Sequence, residues 1–375
     1  MATPITGAVS FNDINTVLGI TSGTAISLND TTVRQLLNAT SGAIDMNNAH
    51  ACASVNTTTT NLNVLTTLFA SSSTVANYKV LIRSTINVGC TAGNTALTLG
   101  QFATGSTIVI NNYGIISGYG GAGGSAGAGS SGGDAINANY ANQTVTINNQ
   151  TGATIQGGGG GGGKGGTGGT GGTGGGGYTS YEVLSGCGTS ERNYFSDYYL
   201  TTTCNYGCNI NCGLPYCGSG YCIGSPTFNK QGFAGFFAIC YNCASTGYSY
   251  YSGGGGGAGG TGGAGGRGLG YDGAAAAGST GAGGSAGAAG GANAGAGGTG
   301  GTGGAGGTGG AYGAAGSTGS TASGGGTGAS GNNGAGAGGA AGGTGSAGGA
   351  SGRYLVKGAN SVTLNNSGTV SGGLA

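Results

Sequence analysis

"QTVTINNQTGATIQGGGG" fills residues 143–160, and "GGGKGGTGGTGGTGGGGY" carries on through 161–178. The first half alternates apolar and polar side chains, the period of a half-buried strand. An Asn-Asn pair follows, which tolerates left-handed backbone and closes turns through its own side chains. A second short strand then runs into glycine, which fills 17 of the 21 positions from 157 to 177. The same phrase stands at 106–121 as STIVINNYGIISGYGG and at 360–375 as NSVTLNNSGTVSGGLA. Three copies of a strand–turn–strand unit predict rungs of a β-scaffold that stack to share a core. Between the second and third copies lie about 200 residues. A chain that leaves a scaffold and returns to complete it pins both ends of its glycine territory, so that territory is predicted to be built rather than loose.

Composition agrees. The chain holds 100 Gly but only 3 Pro in 375 residues, 5% charged residues and a net charge of +1. Disorder needs high charge with low hydrophobicity, and neither condition is met. Nine Lys and Arg are too few and too scattered for a nucleic-acid footprint. No run of 18 apolar residues suggests a membrane span. The opening MATPITGAVSFNDINTVLGI lacks a basic segment followed by an apolar core, so no secretory signal is read. The expectation is synthesis in a cytosol and release by lysis.

Within the glycine tracts the local period is three: GGTGGTGGTGG (165–175), GGAGGTGGAGG (256–266) and GGTGGTGGAGGTGGA (297–311). Three residues per turn is the polyproline-II geometry, which leaves every backbone N–H and C=O without an internal partner. In a GGX phase two of three edges are bare, so neighbouring helices approach closely enough to pair backbone to backbone. Segments of about eight residues would give roughly a dozen such polyglycine-II helices in 253–352. Collagen would need a Pro-rich, unbroken phase, and a silk-like or linker tract would not need to return to the scaffold.

Residues 1–50 repeat a different phrase: AVSFNDINTVLG (8–19), AISLNDTTVRQLL (25–37) and AIDMNNAHA (43–51). Each reads as a short strand, a cap and a short helix. Asn12, Asp13, Asn29 and Asp30 are the expected N-caps. Val33, Leu36 and Leu37 form a one-sided apolar stripe at helical spacing. This small adaptor is expected to attach the protein to a neighbour through those residues.

Residues 178–252 hold eight of the ten Cys and twelve of the nineteen Tyr. Cys187, Cys204, Cys208, Cys212, Cys217, Cys222, Cys240 and Cys243 fit a disulfide-stapled insert better than zinc, because only Cys240/Cys243 has CxxC spacing and no His is near. Cys52 and Cys90 are either a further pair or buried thiols. Tyrosine offers large, rigid contact area at low entropy cost, so Tyr194, Asp197, Tyr198, Tyr199, Tyr248, Tyr250 and Tyr251 are candidate receptor contacts. Phe233, Phe236 and Phe237 are expected to form the insert's own core. His50, the single histidine, is read as structural. Glu191 and Asp197 are a weak carboxylate pair. Lys164 imitates a phosphate loop but is followed by Gly165 where that motif needs Ser or Thr. No enzyme, cofactor or metal is predicted.

AISLNDTTVRQLL and SGAIDMNNAHA resemble the N-terminal repeats of tail-tip and minor tail proteins of tailed bacteriophages. The strand-then-polyglycine body is similar in type to the distal adhesins of T-even-like phages. That resemblance implies a polyglycine-II sandwich whose end loops touch a host receptor. It also implies a virion location on the tail, other tail proteins as partners, and a host surface glycan or outer-membrane protein as receptor. The fold expected is mainly β: a strand/short-helix adaptor (1–60), a β-scaffold of strand rungs (61–160), a polyglycine spacer (161–177), a Cys/Tyr-rich distal insert (178–252), a polyglycine-II lattice (253–352) and a closing rung (353–375). A tail-fibre adhesin is the first functional reading. The alternative is a structural appendage of neck, baseplate or capsid whose insert clamps a neighbouring subunit. Monomer and homo-oligomer, such as a trimer, both fit.

Overall fold

The structure, a computed structural model of the 375-residue chain, describes residues 2–39, 41–184, 189–192, 221–222, 237–240 and 243–375. Its centre is a three-sided coil of parallel strands. The first rung is β1 (Cys52–Val55), β2 (Thr59–Thr60) and β3 (Leu62–Asn63). The second is β4 (Asn77–Ile82), β5 (Asn87–Gly89) and β6 (Leu97–Thr98), and the third is β7 (Thr107–Asn112), β8 (Ile115–Ser117) and β9 (Ile136–Asn137). The fourth begins with β10 (Thr144–Asn149) and β11 (Thr154–Gln156). The chain then departs through β12 (Gly177–Leu184), β13 (Thr189–Arg192), β14 (Tyr221–Cys222), β15 (Phe237–Cys240) and β16 (Cys243–Tyr251). It returns as β17 (Arg353–Val356) and finishes with β18 (Ser361–Asn366), β19 (Thr369–Ser371) and β20 (Gly373–Leu374).

The three sides are β1-β4-β7-β10-β18, β2-β5-β8-β11-β19 and β3-β6-β9-β17-β20. The rungs therefore number five, where the repeated phrase revealed three. The first two were hidden because they lack the Asn-Asn pair, which the structure places at the ends of β7, β10 and β18 in extended backbone rather than in a left-handed turn. β17 completes rung four rather than rung five, so the long excursion is an insertion between the second and third sides of one rung. The short excursion 118–133 interrupts rung three in the same way.

Register explains the sequence pattern. Ala53, Val80, Ile110, Ile147 and Leu364 lie one above another along the first side. Tyr78, Ile108, Val145 and Val362 form the parallel row. Val80, Ile110 and Ile147 are fully buried, each contributing about 1.5–3 kcal/mol of apolar burial. At the corner the rows turn polar: the Asn112 amide donates to Asn149 Oδ1 at 2.8 Å, and the Asn149 amide donates to Asn366 Oδ1 at 2.7 Å. The second Asn of each pair thus forms an interior ladder, while the first forms a parallel ladder on the outer face, where the Asn148 amide donates to Asn111 Oδ1 and the Asn365 amide to Asn148 Oδ1, each at 2.8 Å.

The adaptor carries α1 (Phe11–Leu18), α2 (Thr31–Leu37) and a 3-10 turn (Met46–Ala49). The three apolar phrases ahead of them are not strands, because they have no neighbouring edge to pair with. The cap of α1 is Ser10, not Asn12 or Asp13. Asp13 sits three residues in and accepts from the Ser10 backbone N–H at 2.7 Å, while its own N–H donates to the Ser10 hydroxyl oxygen at 3.2 Å, a complete capping box. Asn12 Oδ1 accepts from the Gly23 N–H. Asp30 does precede α2, but its carboxylate accepts from the Ser27 N–H rather than from the helix. Asn29 Oδ1 accepts from Arg34.

Val33, Leu36 and Leu37 are buried in a second core with Ile14, Val17, Leu18, Cys52 and Leu81. They are no attachment surface, because the stripe is consumed in docking the adaptor on the outer face of the first side of the coil. The Asn111 amide donates to Gln35 O, the Asn56 amide to Val17 O and Arg83 to Leu18 O across the same junction.

The Ser10 hydroxyl and then its backbone N–H hold the Asp13 carboxyl below the ordinary aspartate range. A depressed folded-state value means stabilisation present above the unfolded value and lost as pH falls through the folded one. Acid is therefore expected to fray α1 first, at or below the ordinary aspartate range, and Asp13→Asn to remove that pH step. Helical circular dichroism against pH in the two proteins measures it.

Candidate distal binding site

Eight extended glycine-rich segments, 118–124, 127–133, 157–176, 253–269, 274–290, 295–310, 315–330 and 335–352, hydrogen-bond side by side. The N–H groups of Gly162, Gly165 and Gly168 donate to Gly266, Gly263 and Gly260; those of Gly163, Gly166 and Gly169 donate to Ser317, Ser320 and Ser323; those of Gly158, Gly161 and Lys164 donate to Gly133, Ser130 and Gly127, all at 2.8–3.0 Å. Partners change with a strict three-residue period, the repeat of a three-fold helix. Carbonyls of the same segment accept from 118–124, 295–310 and 335–352. Segment 157–176 is therefore the axis of a ring of six, and 274–290 lies outside, between 253–269 and 295–310.

Glycine is required because a Cβ on Gly162, Gly165 or Gly168 would fall on the carbonyl oxygen of Gly307, Gly304 or Gly301. The GGT phase has the complementary cause. Every third residue of the axis faces 127–133, and it is glycine at 158 and 161. Segment 127–133 stops beside Lys164, and from there the same phase reads Thr167, Thr170 and Thr173, all exposed. Side chains return where the neighbour ends.

The helices are longer and fewer than eight-residue periodicity suggested: five, not a dozen, cross 253–352. Turns fall only at 270–273, 291–294, 311–314 and 331–334. Each carries Tyr, Asp or Asn, at intervals of about twenty residues that the glycine count conceals. Two of the turns lie at the coil, where Tyr271 N–H donates to Gly118 O and Gly313 N–H to Gly157 O. The other two lie at the far end, where Gly295 N–H donates to Gly175 O and Asn333 N–H to Gly176 O.

There β12 and β16 pair antiparallel as a ribbon that continues 157–176 and leads into 253–269, with Tyr178 opposite Tyr250 and Ser180 opposite Tyr248. Alternation places Tyr178, Tyr248 and Tyr250 on one face. Their ring centroids are 5.3 Å apart for Tyr178–Tyr248, 6.3 Å for Tyr178–Tyr250 and 6.4 Å for Tyr248–Tyr250. Tyr248 is 49% and Tyr250 69% exposed, so these rings are not a core. Tyr251 points to the other face, against Gly291 of a far turn. The ribbon is clamped at its root: Asn332 Oδ1 accepts from Tyr178 N–H at 2.8 Å, and the Asn293 and Asn332 amides donate to Tyr178 O at 3.1 and 3.0 Å. Tyr178, Asn293 and Asn332 were not singled out from the sequence. The signal available was the match of YTSYEVL with CASTGYSYY as two alternating strands.

Tyr194, Asp197, Tyr198, Tyr199, Cys187, Cys204, Cys208, Cys212, Cys217, Phe233 and Phe236 lie outside the described residues. Cys222 and Cys243 occupy opposed positions of β14 and β16. Cys240 ends β15, Phe237 begins it, and Glu191 lies in β13.

Among the described residues Cys52 and Cys90 are free, buried thiols in separate cores, which removes them as a disulfide pair. Burial pushes Cys52 up to about 11 and Cys90 up to about 12, so neither is a nucleophile at neutral pH. His50 Nδ1 lies 3.2 Å from Pro4 O, a structural contact. Lys164 continues the lattice through its backbone. Among the described residues no three His, Cys, Asp or Glu side chains gather as a metal site, and no helix is long and apolar enough to cross a membrane.

No curated protein matches the chain. A solved structure similar to it is the crystal structure of the gp37-gp38 adhesin tip complex of the bacteriophage S16 long tail fiber, at 16% identity and a TM-score of 0.34, covering 99% of this chain and 100% of that one. Residues 49–235, about half of the chain, match the family described as phage tail fibre adhesin Gp38. The match begins at the first rung of the coil and takes in the lattice axis and most of the insert. From the first rung into the insert, this chain belongs to the phage tail fibre adhesin Gp38 family.

Proposed function

We propose that this adhesin stands on the phage tail and binds a host surface receptor, a glycan or an outer-membrane protein, through the far end of its lattice. The observation that carries the reading is the placement of an exposed tyrosine face at the end of a rigid bundle, opposite the coil on which the adaptor is docked. Tyr178, Tyr248 and Tyr250 supply contact area already ordered by the ribbon, so little conformational entropy remains to be lost on binding. The remainder of the 178–252 insert, with its cysteines as disulfide staples, enlarges that surface. Residues 1–60 hold a neighbouring tail protein through exposed groups such as Asn12, Asn29 and Asp30. The protein acts as a binding module without catalysis, is made in the host cytoplasm and is released by lysis.

Phage carrying Tyr248→Ala and Tyr250→Ala together are expected to assemble normally and to adsorb at least tenfold more slowly, the loss of two contacts worth about 1 kcal/mol or more each. Adsorption kinetics with electron microscopy of the particles measures both. Unchanged adsorption would refute the tyrosine face as the contact.

A further inference from the structure

Asn333–Gly334 is the single Asn-Gly step in the chain, and it sits on an exposed far turn. Asparagine side chains there divide into two kinds. Asn332 and Asn293 spend their amides on Tyr178 O, and each is followed by a residue with a side chain. Asn333 uses its backbone N–H on Gly176 O, and its side chain has no hydrogen-bond partner among the described residues. Gly334 has φ 144°, open space where a Cβ would stand, and no geometric hydrogen bond from its N–H among the described residues. At the otherwise similar coil-end turn both bonds are made, Gly270 N–H to Gly273 O at 3.0 Å and Gly273 N–H to Gly270 O at 3.1 Å. At the far turn only Gly331 N–H to Gly334 O is made, at 2.9 Å.

We propose that Asn333 is a self-modification site, at which the protein converts its own asparagine to aspartate and isoaspartate after folding. The Gly334 backbone nitrogen attacks Asn333 Cγ and forms a C–N bond. The Cγ–Nδ2 bond breaks, the displaced nitrogen takes up the proton lost by the Gly334 amide, and ammonia leaves. Water then adds to either carbonyl of the resulting succinimide. Opening at one gives aspartate, and opening at the other gives isoaspartate, with one extra methylene in the main chain. No oxidant, metal or second protein is consumed. Gly334 matters twice, because it lacks the Cβ that would hinder attack and tolerates the backbone rotation that brings its nitrogen to Cγ.

The products alter the far end. A carboxylate appears beside Gly176 at the root of the tyrosine ribbon, and the formal net charge of +1 falls to zero. The isoaspartate form also lengthens the turn next to Asn332, whose side chain clamps Tyr178.

The test is to age the purified full-length protein at mildly alkaline pH and to map aspartate and isoaspartate by peptide mass spectrometry. Asn333→Gln is aged in parallel and both proteins are followed by ion-exchange chromatography. The expected result is conversion at Asn333 ahead of Asn332 and Asn293, with one new acidic species that Asn333→Gln lacks. Retention of the Asn333 amide in the folded protein, under conditions that convert the urea-unfolded chain, would overturn the proposal. So would an acidic species that persists in Asn333→Gln.

Discussion

Replacing Gly165 by valine is expected to lower the unfolding free energy by about 3 kcal/mol, the upper end of the usual cost of overpacking. Gly165 lies on the axis of the lattice, its N–H bound to Gly263 O and its Cα against the carbonyl of Gly304. In most cores a new methyl group displaces a neighbouring side chain. Here the obstructing atom is a main-chain oxygen, and moving it breaks hydrogen bonds along two further segments. The control is Gly338→Ala in an outer segment, where nothing stands within 4 Å of the added atom. That change is expected to be neutral or to stabilise by about 0.4–1 kcal/mol through the unfolded chain. Urea midpoints of the two variants against the parent decide the matter, and equal effects would mean that the lattice does not set the glycine requirement.

Asn149→Ala is the second large effect, expected at about 2–3 kcal/mol. Asn149 is 1% exposed, accepts from Asn112 and donates to Asn366 Oδ1 and to Thr369 O. Alanine would leave the buried Asn112 amide short of its better partner and cut the tie between rungs four and five. Asn365→Ala, on the exposed edge strand β18, removes the same chemical group where water can replace it and is expected to cost about 0.5 kcal/mol or less. The difference between the two, read by denaturant unfolding, measures what the interior ladder contributes.

Much of this fold could be read from residues 143–178, because period two and period three are local signals. The strand phrase predicted a stacked scaffold, and GGX predicted three-fold segments packed by their backbones. What the sequence concealed was non-local. Rungs one and two share register with rung three but not its wording, since Leu81 and Ile82 stand where Asn111 and Asn112 do. The helix number depended on Tyr271, Asn293, Tyr312 and Asn332, single residues whose spacing matters more than their type. Val33, Leu36 and Leu37 read correctly as an apolar stripe and wrongly as an outward surface. Periodicity gives the face of a helix but not what lies against it, and Leu81 of the coil lay there. At the far end, tyrosine density pointed to Tyr248 and Tyr250. Their partner Tyr178 came from the opposite flank of the insert, about 70 residues away, and only strand pairing could join them.

The insertion of the lattice into rung four has a consequence for the order in which the molecule is made. Strands β10 and β11 leave the ribosome early, but β17, which must complete their rung, follows the whole lattice. At about 5–20 residues per second, the intervening stretch of nearly 200 residues delays that closure by on the order of ten seconds or more. During the wait the half-built rung presents unpaired strand edges, which are aggregation-prone, and only the later pairing of β17, β18 and β19 buries them. The nascent chain must therefore keep a growing glycine thread from collapsing onto the wrong edge. Substitutions at packed glycines in residues 253–352 are therefore expected to lower the refolded soluble fraction as well as the final stability.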